Sequence, residues 1–251
     1  MLVLALDSAT SAPCVGVVSG DGSVRIEATG LEGIAGEVLL PAVDSLLIQA
    51  GIEKHSLTHV AVGVGPGPYT STRVGVMVAT TIAHALSIPI AGICTHDAIA
   101  AAVVSQTLPT VDFGVATDAR RRETYWARYD CRGARRTGPV VTKPAEMLER
   151  ADLAAWAGDG LDRNPELVRE HRVTVIADTL PQATILADLA IAAWRAGEEP
   201  GSELPPTTEH GNDGAGLVSA QRTLLPPHPI YLRRPDAKPQ QLPANQSAGQ
   251  R

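Results

Sequence analysis

The sequence predicts a mixed α/β protein of two lobes, the second repeating the plan of the first. Three observations predict it. The chain opens on two apolar runs, Leu2 to Leu6 and Cys14 to Ser19, and a third strand, Ser23 to Ala28, with Gly20-Asp21-Gly22 as a hairpin turn between the last two. Apolar runs then alternate with amphipathic segments, the order of parallel crossovers. From Val111 a second strand–turn–strand unit begins, around a charged turn at Asp118 to Glu123.

Each element has a local reason. Leu39, Val43, Leu46 and Leu47 repeat at helical spacing, so Glu37 to Ala50 is a helix, with Pro41 in or near its first turn and Gly51 as its stop. Val60 to Val64 is a strand, Gly65-Pro66-Gly67-Pro68-Tyr69-Thr70 a loop, and Thr72 to Leu86 a helix stopped by Pro89. Ile90 to Ile93 is a strand and Asp97 to Val104 a helix. In the second half, Val111 to Thr117 and Thr124 to Asp130 form the hairpin, with Tyr125, Ala127 and Tyr129 on one face. Trp156 to Leu161 and Val173 to Ile176 are strands, and Ala183 to Arg195 a helix. The lobes divide near Ser105 to Thr110, into residues 1–107 and 108–234. Residues 197–222 have no periodicity and predict a mobile loop. Pro229 to Arg233 predicts a short strand, and 235–251, rich in Pro, Gln and Ala, a disordered tail.

Composition narrows the function. Of 251 residues, 44% are apolar, yet there are one Phe, three Trp and four Tyr, so the core is aliphatic. A net charge of -6 gives no overall attraction to RNA or anionic membrane, so any nucleic-acid role is local or supplied by a partner. Cys14, Cys94 and Cys131 are odd in number and widely spaced, which predicts no disulfide framework or zinc knuckle and fits a reduced, cytoplasmic protein. The start, MLVLALDSAT, lacks a basic region and breaks at Asp7, unlike a signal peptide. No apolar window reaches the roughly 18 residues of a membrane span.

Four segments occur in one order: LALDSAT at 4–10, GVGPGPYTSTRVGV at 63–76, DARRRETYWARY at 118–129 and PIYLR at 229–233. Together they resemble the TsaB (YeaZ) family, whose pattern is an ALDTST strand, a GPGSFTGLRIG loop-helix, a DARRGEVY hairpin and a closing PxYLR. Pro68-Tyr69 stands where Ser-Phe is usual, Ser71-Thr72 where Gly-Leu is usual, and Ala35-Gly36-Glu37 where His-Ser-Glu is usual. The resemblance implies the actin-like ATPase fold. It also implies a non-catalytic scaffold subunit that pairs with the catalytic relative TsaD and works with the ATPase TsaE. Their product is threonylcarbamoyladenosine at the adenosine 3′ of certain tRNA anticodons, so tRNA is met through the complex. ATP and a metal are then expected in TsaD, and no cofactor on this chain alone.

Site candidates follow from the motifs. Asp7, Ser8, Thr10 and Ser11 end the first strand, where the actin-like fold carries phosphate or metal contacts; the plain alternative is a side-chain-stabilised turn. Two prolines in Gly65-Pro66-Gly67-Pro68 remove amide donors and favour a packing turn over a phosphate cradle. The turn at 118–123 carries bulky Arg120, Arg121 and Arg122 where a working ATPase needs small residues; these contact RNA or a partner, or are a solvated tip. Gly158-Asp159-Gly160 is an adenosine or ribose contact or a strand-ending turn. His55 and His59 lack a third ligand and read as surface loop residues. Gly75, Ala79 and Ala83 form a small-residue stripe, beside Arg73, Met77, Thr80, Thr81 and His84. With Val38, Ala42 and Ser45 of the preceding helix they are the expected docking surface, for TsaD or for a second copy of the chain; the alternative is packing within the lobe. Two other functions remain: an actin-like ATPase or small-molecule kinase, for which the glycine-rich second turn is missing, and a metalloprotease-like protein, for which ligands are missing.

Overall fold

The computed structural model describes residues 1–177, 180–201 and 223–232. The tail at 235–251, Arg233 and most of the loop expected at 197–222 lie outside the described residues.

The first strand, β1 (Leu2–Asp7), is apolar on both faces, and the structure shows why. Leu4 and Leu6 point into one core cluster, and Val3 and Ala5 into another. A strand covered on both sides reads as a continuous apolar run rather than an alternating one. β2 (Cys14–Ser19) and β3 (Arg25–Ala28) follow antiparallel, then β4 (His59–Gly63) and β5 (Ile90–Ile93) add in parallel on the other side of β1. The sheet order is β3-β2-β1-β4-β5. The second sheet contains β6 (Phe113–Asp118), β7 (Thr124–Tyr129), β8 (Arg135–Thr142), β9 (Ala155–Ala157) and β10 (Thr174–Ala177). Its order is β8-β7-β6-β9-β10, the first order repeated strand for strand, again with an antiparallel meander and a parallel remainder. This is the duplicated, actin-like α/β plan.

Helices cover both sheets. α1 (Ala35–Ala50) and α2 (Tyr69–Leu86) pack together on the Leu4/Leu6 side of the first sheet. α3 (Thr95–Thr107) lies against the second sheet through Ile99 and Val103, with Phe113 and Tyr129. α4 (Pro144–Ala151) covers the other side, where Met147 packs with Trp126 and Trp156. α5 (Pro165–Glu170) is a short connector. α6 (Ala183–Arg195) returns to the first sheet, where Leu186, Ala187 and Ala190 meet Val3, Ala5 and Val18.

Several expectations need correction. α1 starts two residues earlier than its periodicity predicts, so Pro41 lies inside the helix beyond the first turn, on an exposed surface. The chain order predicts α6 and residues 223–232 in the second lobe, 108–234; both pack on the first sheet. Leu225 bridges antiparallel to Gly92, and the Ile230 N–H donates to the Val64 carbonyl at 2.7 Å. Residues 229–232 form no regular strand. β8, α4 and α5 are additional elements. β8 hides in the sequence because Gly138-Pro139 looks like a turn; it is an edge strand, where a proline without an N–H is tolerated. Among the described residues, no helix is long and apolar enough to cross a membrane.

Candidate functional site

The ends of β1 and β6 face each other across a cleft of about 180 Å³. Thr10, Ser11 and Pro68 line it from the first lobe; Thr117, Asp118 and Asp159 line it from the second.

The four residues expected to contact nucleotide divide here. Thr10 and Ser11 reach the cleft, but Asp7 and Ser8 are buried at 0% and 1% exposure. The Asp7 carboxylate accepts the Ala9 N–H at 2.6 Å and the Thr95 hydroxyl at 2.7 Å. The Ser8 hydroxyl donates to the Ser71 carbonyl at 2.6 Å. Both side chains are therefore committed to internal bonds. Burial pushes the Asp7 carboxyl up to about 6, against the opposing pull of the Thr95 and Ala9 hydrogen bonds. A side chain at Gly63 would collide with that carboxylate, which explains the glycine.

The second-lobe wall is built by the Gly158-Asp159-Gly160 turn. Gly158 has φ 89°, and a Cβ there would collide with the Ala116 carbonyl; one at Gly160 would lie 2.7 Å from the same peptide carbon. The glycines thus let the turn rest on the β6 backbone and project Asp159 into the cleft. One Asp159 oxygen accepts the Asp118 N–H at 3.0 Å, and the other lies 3.4 Å from the Ser11 hydroxyl across the gap. A strand-end amide of this kind would suit a phosphate oxygen. Here a carboxylate of the chain already holds it. Arg120 and Arg163 each approach Asp118 at 3.6 Å, so the cationic groups here face a carboxylate as well. Arg120, Arg121 and Arg122 all adopt left-handed backbone, with φ of 60°, 54° and 63°, at an exposed turn.

The second candidate surface is the outer side of α1 and α2. Arg73, Met77, Thr80, Thr81 and His84 are exposed along α2, and Ser45 on α1, while Val38 and Ala42 are half-buried. The Gly75/Ala79/Ala83 stripe is internal instead: all three are buried, and a Cβ at Gly75 would collide with the Ser8 hydroxyl. A small-residue stripe marks close approach, and this one serves the lobe's own core. Ile34, Leu40 and Ile48 are also exposed, at 68%, 48% and 80%, and are not among the expected docking residues. Their signal was present, since Leu40 and Ile48 are apolar residues off the buried stripe of α1. Near the start of α2, Tyr69 stacks on Tyr231 at 4.6 Å and accepts a hydrogen bond from Arg73 at 3.0 Å.

Comparisons with known proteins fit this geometry. A family model described as TsaD: tRNA N6-adenosine threonylcarbamoyltransferase matches residues 36–193. An uncharacterised protein of Mycobacterium tuberculosis is 36% identical over 242 residues, covering 94% of each chain. The Escherichia coli tRNA threonylcarbamoyladenosine biosynthesis protein TsaB is 25% identical over 228 residues, covering 90% of this chain and 85% of that one. The solved structure of YeaZ from Pseudomonas aeruginosa superposes with a TM-score of 0.67 at 26% identity, over 92% of this chain and 99% of that one. The chain belongs to the TsaB (YeaZ) family.

Two histidines of this TsaB-family chain sit apart from both surfaces. His55 is exposed beside Glu53 at 2.8 Å. His59 is not a loop residue: it opens β4 and packs on Trp194 with ring centroids 4.7 Å apart. Burial and the N-terminal charge lower its pKa. Among the described residues, no group of three or more His, Cys, Asp or Glu is arranged to hold a metal.

Proposed function

We propose that this chain is a non-catalytic subunit in tRNA threonylcarbamoyladenosine biosynthesis, binding and activating a TsaD-type subunit alongside a TsaE-type ATPase. The observation that carries the reading is the cleft. Its strand-end amide is held by the Asp159 carboxylate, and its turn is built of Arg120 to Arg122 rather than small residues. An actin-like chain with this cleft acts through its surface. The surface it offers is the outer side of α1 and α2, where Leu40, Ile48 and Met77 are exposed beside Thr80, Thr81 and His84. Exposed apolar residues on two adjacent helices suit a helix-to-helix interface with another actin-like lobe, a TsaD-type partner or a second copy. The chain meets tRNA through the complex and holds no cofactor alone, and its place of work is the cytoplasm.

The test is reconstitution with a TsaD-type subunit. Met77→Asp and Ile48→Asp place charge on exposed positions, so both variants should fold and melt as the parent does. Each should weaken capture of the TsaD-type subunit and reduce threonylcarbamoyladenosine formation on tRNA. Parent-like binding by both variants would remove the docking assignment. Sustained ATP hydrolysis by the parent chain alone would favour the kinase or ATPase reading instead.

A further inference from the structure

The first turn of α3 holds strand ends of both lobes. Thr95 donates its hydroxyl to Asp7 at the end of β1 at 2.7 Å, and accepts the Gly65 N–H at 3.1 Å. His96 Nε2 lies 2.8 Å from the hydroxyl of Thr117, near the end of β6. Asp97 accepts the Tyr129 hydroxyl of β7 at 2.7 Å and lies 3.4 Å from the Arg135 guanidinium of β8. Asp7, Thr95, His96 and Tyr129 are all 0% exposed.

We infer that Thr95, His96 and Asp97 form a pin between the lobes that fixes the opening of the cleft. Thr95 holds the first lobe and the next two residues hold the second, and all three ride on one helical turn. Thr117 is itself a cleft wall, so the pin lies at the cleft floor. Separating β1 from β6 breaks the bond at Asp7 or the bond at Thr117, and leaves a polar group unpaired in a dry environment. The bridge nearer the surface, Ser11 to Asp159 at 3.4 Å, is long and exposed and adds little. His96 Nδ1 and Arg135 Nε are buried with no hydrogen-bond partner among the described residues. Such atoms persist where surrounding bonds dictate position, and both belong to this joint. Lobes of one chain move by default unless a large apolar interface holds them; here buried hydrogen bonds add to the apolar packing of α3 on the second sheet. This junction is bonded at its centre, so the cleft keeps one opening whether or not nucleotide is supplied.

The experiment measures the distance between the lobes. Spin labels at Gln49→Cys on α1 and Glu170→Cys on α5, both exposed positions, report it, with Cys131→Ser and the buried Cys14 and Cys94 left in place. The parent should give one narrow distance distribution, unchanged by magnesium and ATP. Thr117→Val keeps the shape of the side chain but removes the bond to His96, and His96→Gln tests the same contact from the other side. Each should broaden the distribution. Amide exchange at Gly65, Thr95 and Asp118 should rise about 10- to 100-fold, the loss of one buried hydrogen bond, while the β2–β3 hairpin exchanges as before. A broad or divided distribution in the parent would overturn the inference. So would an unchanged distribution in the variants, or exchange that rises equally in every strand, which marks plain destabilisation. If His96→Gln does not fold, Thr117→Val decides alone.

Discussion

Lowering the pH from 7 to 5 acts on two residues of the cleft floor with opposite signs. Burial, helped by the neighbouring Arg135 charge, holds the His96 imidazole down to about 3, against 6.5 in the unfolded chain. The unfolded state therefore takes up the proton first, and the stability present above pH 6.5 is lost as pH falls. Between pH 7 and 5 this loss is ~2 kcal/mol. Asp7 runs the other way. Its folded value is raised to about 6 from 3.8, so the native state binds the proton first. Its contribution is full below the unfolded value and fades as pH rises through 6; going from pH 7 to 5 returns ~1 kcal/mol. The groups facing Asp7 are the Thr95 hydroxyl, the Ala9 amide and the Cys14 thiol; those facing His96 are Thr117 and Arg135. In the parent the Asp7 gain offsets only part of the His96 loss. His96→Gln removes that loss. Urea unfolding at pH 7, 6 and 5 should show the variant gaining ~2 kcal/mol relative to the parent across that range. Groups shared by both proteins, His59 included, drop out of the difference. Parallel stability curves for parent and variant would refute a neutral buried His96.

Two further outcomes follow from backbone geometry. Gly158→Ala forces a Cβ into the Ala116 carbonyl at φ 89°, so thermal melting should show a loss of about 3 kcal/mol; a parent-like melt would mean the Asp159 turn does not rest on β6. Arg122→Gly relieves a left-handed non-glycine residue at φ 63° and should raise stability by ~0.5–1 kcal/mol, measured the same way; a fall would mean the arginine side chain holds the turn.

The duplicated plan was legible because it is written in local signals. The turn at 20–22, the helical spacing in α1, and α6, whose bounds match the expectation residue for residue, all arise within a few residues of each other. The hairpin at Asp118 to Glu123 was readable for the same reason. What sequence could not separate was close approach within a lobe from close approach between chains. Gly75, Ala79 and Ala83 satisfy either, and only their burial, with Ser8 just beyond the end of β1 against Gly75, assigns them to the core. Asp159 stood in a recognisable Gly-Asp-Gly turn. Its meeting with the Asp118 amide, 41 positions away in sequence, depends on how β9 sets beside β6. The cleft-floor contacts were illegible for a similar reason. Nothing about Thr95, His96 or Asp97 in isolation announces partners at residues 7, 117, 129 and 135.

The return of α6 to the first sheet bears on how the chain is made. A ribosome releases β1 to β5 long before residues 183–195 emerge. Until then, the side of the first sheet with Val3, Ala5, Cys14 and Val18 lacks its main cover. Leu225 and Ile230, which close the β5 and β4 margin, arrive later still. The first half is thus the last to be finished, and a nascent chain of a hundred residues carries a partly uncovered apolar sheet, the kind of surface that makes a folding chain prone to aggregate. Cutting such a protein at the apparent boundary between its halves yields two incomplete pieces rather than two domains.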